Sequence, residues 1–485
     1  GTLANTYAEV LEHRRDNMAV VSSAGVKLAQ LYESELGDVQ RAEEAYRFVL
    51  GVNPKAEEAL ESLDRIYTEH GSFKALHDVL QLRIQAENGR GEGVRLSYRL
   101  GRLLEMELNE PDQAIHVYRH IVDDLDPQYM DAIHALENVY ATKGLWQELL
   151  EAYEREYKVA LGDSAQSEVL AKMARLASDN LGDADKAVEL WKRVLDVRGE
   201  DREALSALGD IYARQQNWRD LVDVLEREAA VADDDATRIA IYADLGRVWS
   251  EKLQRNPNAL ESWERVLDID PNNVDALFAV AAIQENSEAY SDLVSTLHRV
   301  VDVGVAVLSD TVLQDVYMRL GNVYAEKQQQ PVEAVEAYSS VLEINPRAFE
   351  AMDKLEAIHA KEAQWELYIS VLEKRADALE EIEARIGVLL AIGETWEIKA
   401  EYKDGGVSAY ERVLELEPLH EVAFGKLEQL HRDAGRWEPL VELYLSRLEH
   451  LEDHEARRQL FLRTANVYEK ELGDNERAFD TILVA

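Results

Sequence analysis

The fold is decided by residues 181–225, which read LGDADKAVELWKRVLDVRGEDREALSALGDIYARQQNWRDLVDVL. Apolar residues in this stretch recur every three or four positions, which is the spacing of an amphipathic helix. Polar breaks such as Gly182-Asp183 separate the apolar runs. Because none of these runs can bury its apolar face alone, the stretch predicts several short helices packed against one another.

The pattern of this stretch returns every 72 residues or so along nearly the whole chain. One aromatic residue marks the first half of each unit, a second marks the other half, and a helix-stopping residue lies between them. The three columns are Tyr46, Tyr118, Trp191, Trp263, Tyr338, Tyr410 and Phe479; Phe73, Trp146, Trp218, Tyr290, Trp365 and Trp437; and Pro54, Pro127, Gly199, Pro271, Pro346 and Pro418. The last two columns both have spacings of 73, 72, 72, 75 and 72 residues. Three columns with one period indicate a helical repeat array, in which each repeat packs only on its neighbours.

Each unit divides into two helix pairs of about 36 residues. The first pair, as in residues 320–346, carries Leu320, Gly321, Tyr324, Ala334, Tyr338 and Pro346. These residues resemble the tetratricopeptide repeat, with one extra residue between Gly321 and Ala334. The second pair, as in residues 208–225, has Leu221 where the family has a small residue. The resemblance implies an all-α fold: a right-handed α-solenoid, or superhelix, of antiparallel helix pairs built from degenerate tandem repeats.

We expect one continuous solenoid over residues 1–485. Its predicted units are 1–25 (partial), the double repeats 26–93, 94–165, 166–237, 238–311, 312–384 and 385–456, and 457–485 (partial). Residues 89–93, which join the first two double repeats, read as a flexible turn. Neither end resembles the polar capping helix of a solenoid. This predicts either an excerpt of a longer protein or ends that dock on something, self-association included.

Small and polar residues predict where the helices meet and stop. Glycine after leucine lets the two helices of a pair approach closely, at Gly101, Gly209, Gly246 and Gly321. The Leu-Gly-Asp turns at 36–38, 181–183 and 472–474 predict a left-handed glycine and then an aspartate N-cap. The tryptophans that recur at helix starts are expected in the core between repeats: Trp146, Trp218, Trp365 and Trp437.

The amino-acid composition limits the classes of partner that the chain is expected to bind. The chain has 53 Lys and Arg against 95 Asp and Glu, so its formal net charge is −42. Such a charge repels the phosphate backbone of nucleic acids, and we expect no nucleic-acid partner. Without cysteine, disulfides and thiolate chemistry are excluded. No apolar run reaches the roughly 18 residues of a membrane helix, so no membrane insertion is predicted. A cytoplasmic, bacterial protein is our hypothesis for its location.

Catalytic patterns are weak. His116 and His120 lie four residues apart, as do His450 and His454, which is a spacing that can bind a metal. No third ligand accompanies either pair, so a solvated helix face is the better interpretation. With no nucleophile elbow and no designated carboxylate pair, we predict no enzyme, no cofactor and no metal.

One column of residues offers a binding surface. The resemblance implies that the position after each Leu-Gly pair faces the concave side, where the family binds its ligands. The column reads Gln30, Arg65, Arg102, Asn138, Arg175, Asp210, Arg247, Ala282, Asn322, Ala357, Glu394, Gln429 and Asn466. Arginine and asparagine can grip carboxylates and peptide backbones. The predicted partner-binding residues are therefore Arg65, Arg102, Asn138, Arg175, Arg247 and Asn322, with Arg102, Arg175 and Arg247 foremost.

Alternatives remain open both for the role of this column and for the function of the chain. Each arginine of the column could instead pair with a carboxylate on a neighbouring helix and only tie the repeats together. The family's Lys and Asn carboxylate clamp is not reproduced here. We predict a non-enzymatic interaction scaffold or adaptor for a protein or peptide partner. The rival functions are a ligand-responsive regulatory sensor, a helper domain of a larger protein, and an RNA-processing scaffold with half-a-tetratricopeptide repeats.

Overall fold

The computed structural model describes residues 2–13, 17–87 and 90–484, and within them it contains α-helices and no β-strand. Contacts between residues divide the chain into two compact units, Gly1–Ile241 and Tyr242–Ala485. Within each unit the helices pack in chain order as antiparallel pairs joined by short turns. The predicted all-α solenoid class is therefore confirmed, while the boundaries of the 72-residue units stay a prediction.

The first unit begins with helix α1, and helix α14 contains the division between the two units. The helices are α1 (Thr2–His13), α2 (Met18–Ser34), α3 (Val39–Val52), α4 (Glu57–His70), α5 (Phe73–Ala86), α6 (Arg90–Met106), α7 (Pro111–His120), α8 (Met130–Lys143), α9 (Trp146–Val159), α10 (Asp163–Leu176), α11 (Ala184–Arg198), α12 (Arg202–Arg214), α13 (Trp218–Val231) and α14 (Asp235–Arg247). The even-numbered helices come first in each pair and are called A helices; the odd-numbered helices from α3 onward are called B helices.

The second unit continues the alternation of A and B helices. Its helices are α15 (Asn256–Ile269), α16 (Val274–Asn286), α17 (Tyr290–Gly304), α18 (Asp310–Asn322), α19 (Pro331–Ile344), α20 (Phe349–Lys361), α21 (Trp365–Ala378), α22 (Ile382–Ile398), α23 (Lys403–Leu416), α24 (Glu421–Asp433), α25 (Trp437–His450), α26 (His454–Lys470) and α27 (Asn475–Val484). Four helices, α7, α10, α14 and α18, run on into a π-helical turn, respectively Ile121–Leu125, Ala177–Leu181, Val248–Lys252 and Val323–Gln328.

The Leu-Gly-Asp turns have the predicted geometry. Gly37, Gly182 and Gly473 have φ of 63°, 67° and 67°, in the left-handed region that glycine adopts without a steric penalty. The aspartate that follows each glycine accepts a hydrogen bond from the backbone three residues on, at 3.0 to 3.1 Å. One glycine therefore ends a helix and the next residue begins another, as predicted.

Residues 90–93 are not the flexible turn that the sequence predicted. Helix α6 already begins at Arg90, and residues 88–89 lie outside the described residues. Val94 is buried immediately afterwards, and Glu92 pairs with Arg95 across one helical turn at 3.8 Å. Burial of the following face and an i,i+3 ion pair favour helix in a stretch whose glycines alone suggested a loop.

The core of four first pairs is built around a ring packed on a glycine. Tyr118, Tyr338 and Tyr410 are fully buried, and each ring lies where the Cβ of an alanine at Gly101, Gly321 or Gly393 of the partner helix would be. Trp263 has the same place over Gly246. The predicted close approach is thereby confirmed at three of its four glycines, namely Gly101, Gly246 and Gly321.

The fourth glycine, Gly209, does not mark a close approach. A Cβ there would meet only Leu221 at 3.8 Å and Val224 at 4.0 Å, which is ordinary van der Waals contact. The reason is that this second pair has no ring over the glycine. The tryptophans that begin α9, α13, α21 and α25 are half-buried at their helix starts rather than fully enclosed in the core.

Candidate functional site

Four of the six predicted binding residues lie on successive A helices of the first unit. Arg65, Arg102, Asn138 and Arg175 belong to α4, α6, α8 and α10, and all four are exposed. The side chains of Arg65 and Arg175 are 52% and 50% exposed. The predicted column is thus accessible in this unit, and what separates its members is whether each already has a partner.

Two of these arginines tie neighbouring A helices together. Arg65 of α4 forms an ion pair with Glu33 of α2, whose other oxygen accepts from the Tyr46 hydroxyl at 3.1 Å. The hydrogen bond with Glu33 raises the pKa of Arg65 above its usual value. Arg175 of α10 binds Glu203 of α12, with 2.8 Å between Nε and Oε1. These two residues therefore follow the alternative interpretation, in which the column arginines link the repeats.

Arg102 is different, because it has no hydrogen-bond or ion-pair partner within the described part of the chain. It lies on α6, one turn after the half-buried Tyr98. The ring of Tyr98 packs edge-on against that of Tyr129, with ring centroids 5.6 Å apart. Arg99 also lies on α6 and holds Asp64 of α4, with 2.7 Å between Nη1 and Oδ2. Arg95 begins this face and is 77% exposed.

Helix α6 therefore places three arginines and a tyrosine on one helix face. We call Arg95, Tyr98, Arg99 and Arg102 the α6 patch. The sequence analysis found only its last member, since it followed one position per repeat. The signal for the others was available in the i, i+4 and i, i+7 spacing within α6, which places residues on one helix face.

Among the six predicted binding residues, Asn138 of α8 is the other one whose side chain has no hydrogen-bond partner in the described part of the chain. Its backbone carbonyl accepts a bond from the Thr142 hydroxyl at 2.8 Å, as is usual for threonine inside a helix. Its amide is exposed. It therefore offers a donor and an acceptor on the A helix that follows α6.

In the second unit both predicted residues have partners. Arg247 pairs with Asp244 of its own helix at 2.6 Å, and both side chains are more than half exposed. Asn322 accepts a hydrogen bond from the Tyr338 hydroxyl at 2.8 Å. Asn322 therefore supports the helix pair, and Arg247 forms an exposed pair of the kind that contributes little to stability.

A second column, one residue before the first, was missed by the sequence analysis. It carries acids in four second pairs, Asp64, Glu137, Glu356 and Glu428. Asp64 is 3% exposed and is held by both Arg83 and Arg99. Glu356 accepts from Arg375 at 2.7 Å. Asp64 and Glu137 are buried and Glu356 and Glu428 are partly buried. Carboxylates removed from water need a cation nearby, so these positions contribute to internal ion pairs.

The α8–α9 pair contains an unusual member of this second column. Glu137 of α8 and Glu156 of α9 are both buried, and Lys172 of α10 donates to both oxygens of Glu156 at 2.9 Å. His134 lies 3.5 Å from Glu156, measured from Nε2 to Oε1. Burial, and then the charge of Glu156, raise the pKa of Glu137 to about 8. Of the described residues, His134, Glu137 and Glu156 form the group with the geometry to hold a metal ion.

None of the helices in the described ranges combines the length and apolar character needed to cross a bilayer. The last helix, α27, exposes apolar side chains at Phe479, Ile482, Leu483 and Val484. Self-association through the ends of the chain stays a prediction.

Comparison with known proteins matches three of the helix pairs to a repeat family. One family model described as tetratricopeptide repeat matches residues 132–165 and 204–239, and a second model of the same description matches residues 315–348. The matched stretches coincide with α8–α9, α12–α13 and α18–α19. Two of them are second pairs, so these pairs match the family in spite of Leu221. A search of curated proteins found no match.

Several solved structures are similar at low identity. A structure of Naa15/Naa10 bound to HypK-THB is 14% identical over 99% of this chain and 68% of that chain, with a TM-score of 0.38. YrrB, described as a TPR protein with an unusual peptide-binding site, is 19% identical over 39% of this chain and 92% of its own, with a TM-score of 0.27. The C-terminal part of a TPR repeat-containing protein from Cytophaga hutchinsonii is 14% identical over 53% and 99% of the two chains, with a TM-score of 0.32. Tetratricopeptide repeat models thus match helix pairs in both compact units of the chain.

Proposed function

We propose that this protein is a non-enzymatic interaction scaffold that binds an acidic protein or peptide segment on the A helices of its first unit. Tetratricopeptide repeats support an interaction scaffold in general. The finer proposal rests on a single observation. The guanidinium of Arg102 is exposed and has no hydrogen-bond or ion-pair partner among the described residues, although the chain carries 95 acidic side chains.

The neighbours of Arg102 favour an acidic ligand. A free guanidinium presents a planar fork of donors that matches a carboxylate in a bidentate arrangement. Arg95 and Arg99 lie on the same helix face, where each also pairs with an acid, Glu92 and Asp64 respectively. Tyr98 contributes partly exposed ring surface. Arginine and tyrosine are enriched among the residues that dominate binding energy at interfaces.

The rest of the column sets the extent of this surface. Arg65 and Arg175 are already neutralised by Glu33 and Glu203, so an incoming carboxylate has to compete with an internal one. Asn138 has no such competitor and can bond a peptide backbone. The proposed contact surface therefore runs from the α6 patch to Asn138 on α8, with Arg65 and Arg175 at its margins.

The test is a peptide-display selection on the full chain, followed by affinity measurements on the selected peptides. We expect the wild type to enrich peptides rich in Asp and Glu, and Arg102→Glu to weaken their binding by about 10- to 100-fold, as for an interface hot spot. Arg219→Glu is the matched control. Arg219 is an exposed arginine on the B helix α13 of the same unit, without a partner among the described residues.

Equal loss of binding in both variants would assign the effect to net charge rather than to the α6 patch. Selected peptides that are not acidic, or that bind Arg102→Glu as tightly as the wild type, would contradict the proposal. Affinity should also fall with added salt, since the attraction is between exposed charges. We further propose a cytoplasmic location, which cell fractionation can test.

A further inference from the structure

Two helix pairs share an arginine held between two acids. In α4–α5, Arg83 of the B helix contacts Asp64 and lies 3.8 Å from Glu61, which precedes Asp64 by three residues. In α20–α21, Arg375 contacts Asp353 and also pairs with Glu356, with 2.7 Å between Nε and Oε1. In both pairs the arginine follows the second acid by nineteen residues. We call this arrangement the arginine clamp.

The α8–α9 pair has a different residue type at two of the three clamp positions. At the corresponding offsets stand His134, Glu137 and Glu156, so histidine replaces the first acid and glutamate replaces the arginine. Lys172 of α10 corresponds to Arg99 of α6, since each follows the central acid by 35 residues. We count the three clamp positions together with the cation of the following A helix, and take histidine as neutral. The formal charge of these four positions is zero in α4–α6 and −1 here. This repeat has lost the cation that its counterparts keep between two acids.

The burial and hydrogen bonding of these side chains show the effect of the missing cation. Glu137 and Glu156 are 8% and 7% exposed. The ammonium of Lys172 donates to Glu156 and lies 3.9 Å from Oε2 of Glu137. Oε1 of Glu137 is buried and accepts no hydrogen bond from any described residue. A buried carboxylate oxygen without a donor is unfavourable, which points to a missing positive ligand at this position.

We infer that His134, Glu137 and Glu156 bind one divalent first-row metal ion of the Zn²⁺ class. One ligand atom from each residue lies within 4.8 Å of the other two. Tetrahedral Zn²⁺ with bonds of about 2.0–2.2 Å holds its ligand atoms about 3.4 Å apart, so small side-chain rotations close the site. One imidazole and two carboxylates are a donor set suited to such an ion.

Lys172 occupies part of the proposed site, since its ammonium contacts Glu156. Its ammonium and a metal ion compete for Glu156, and its side chain is 37% exposed, so it can turn out to water. The imidazole of His134 is 49% exposed and leaves an entry path. Removing the ammonium should therefore strengthen metal binding, whereas a purely structural ion cluster would only be weakened by its loss.

The experiment titrates the chelator-treated full chain with Zn²⁺ by calorimetry and with Co²⁺ by visible absorption. We expect one equivalent to bind more tightly than the weak surface sites of an acidic chain. His134→Ala and Glu137→Gln should each weaken this event by at least about ten-fold, and Lys172→Met should strengthen it. His120→Ala is the control, because His120 also lies beside a carboxylate, 2.8 Å from Asp124, but on an exposed helix face.

Glu156→Arg restores the clamp arginine and guards against misinterpreting a folding defect. This variant should bind no metal while α8, α9 and α10 keep at least wild-type protection against hydrogen exchange. The inference is overturned if no one-equivalent event occurs, if Glu137→Gln or His134→Ala binds as tightly as the wild type, or if Lys172→Met binds more weakly. Each of these results would assign the cluster a structural role only.

Discussion

The same substitution, glycine to alanine, is predicted to have opposite effects at two equivalent positions of the first unit. Gly101 in α6 and Gly209 in α12 both follow a leucine in the repeat pattern and both lie inside a helix. A Cβ at Gly101 would overlap the ring of Tyr118, whereas at Gly209 it would make ordinary contact with Leu221 at 3.8 Å. The two variants therefore separate steric clash from helix propensity.

The magnitudes follow from those surroundings. The ring of Tyr118 is fully buried and its hydroxyl donates to Glu105 at 2.8 Å, so it cannot move aside freely. Overpacking costs about 1–3 kcal/mol, and loosening the hydrogen bond about 1 kcal/mol more. Alanine returns about 1 kcal/mol through helix propensity. Gly101→Ala should therefore destabilise α6–α7 by about 1–3 kcal/mol, and Gly209→Ala should stabilise α12–α13 by about 1 kcal/mol.

Hydrogen exchange followed by mass spectrometry is the suitable assay, because a repeat array need not unfold as one cooperative unit. Since about 1.4 kcal/mol is ten-fold in an opening equilibrium, amides of α6 and α7 should exchange about 5- to 150-fold faster in Gly101→Ala. Amides of α12 and α13 should exchange about five-fold more slowly in Gly209→Ala. Unchanged exchange in Gly101→Ala, or faster exchange in Gly209→Ala, would refute this account of the glycine positions.

Two further predictions concern charge. Asp64→Asn should destabilise α4–α6 by about 3 kcal/mol, because it leaves two arginines without their buried partner, while Asp244→Asn at an exposed pair should stay within about 0.5 kcal/mol. Equal hydrogen exchange around both substitutions would contradict this difference. Burial, and then the charge of Arg436, lower the pKa of His431, so below about pH 6.5 the unfolded chain binds more protons and stability is lost as pH falls. His431→Gln should flatten the loss of α24–α25 protection between pH 7 and pH 5, and an unchanged loss would assign it to other groups.

The sequence could predict the features that are local or periodic. Helix pairs, the Leu-Gly-Asp turns and the approach at Gly101 depend on residues a few positions apart, or on a spacing repeated in every unit. The sequence also contains one residue more than the family pattern between Gly321 and Ala334. It cannot place that residue in the backbone, where α18 runs on into the π-helical turn Val323–Gln328 over this stretch. Insertions inside helices commonly take this form.

The partners of the binding column could not be predicted in the same way. Arg65 and Glu33 are 32 residues apart, and Arg175 and Glu203 are 28 apart. Each pair connects two A helices, and whether it forms depends on side-chain directions on both. Arg102 belongs to the same column and has the same residue type, yet it has no described partner. Residue type at a repeat position therefore predicts exposure better than it predicts bonding.

Comparing the repeats with one another carries more functional information than comparing any of them with the family pattern. Where the B helix brings a ring over the position after the leucine, as Tyr118 does over Gly101, the A helix has no room for a side chain. Second pairs hold an acid at this position in four of six cases, and the acid is buried at Asp64 and Glu137. A buried acid needs a cation, which Arg83 supplies for Asp64. The α8–α9 pair keeps the acid but has Glu156 in place of the arginine. This departure is visible only when the pair is compared with the other second pairs of the chain. Because the internal cation is missing here, this is the position at which we expect a ligand from outside the chain to bind.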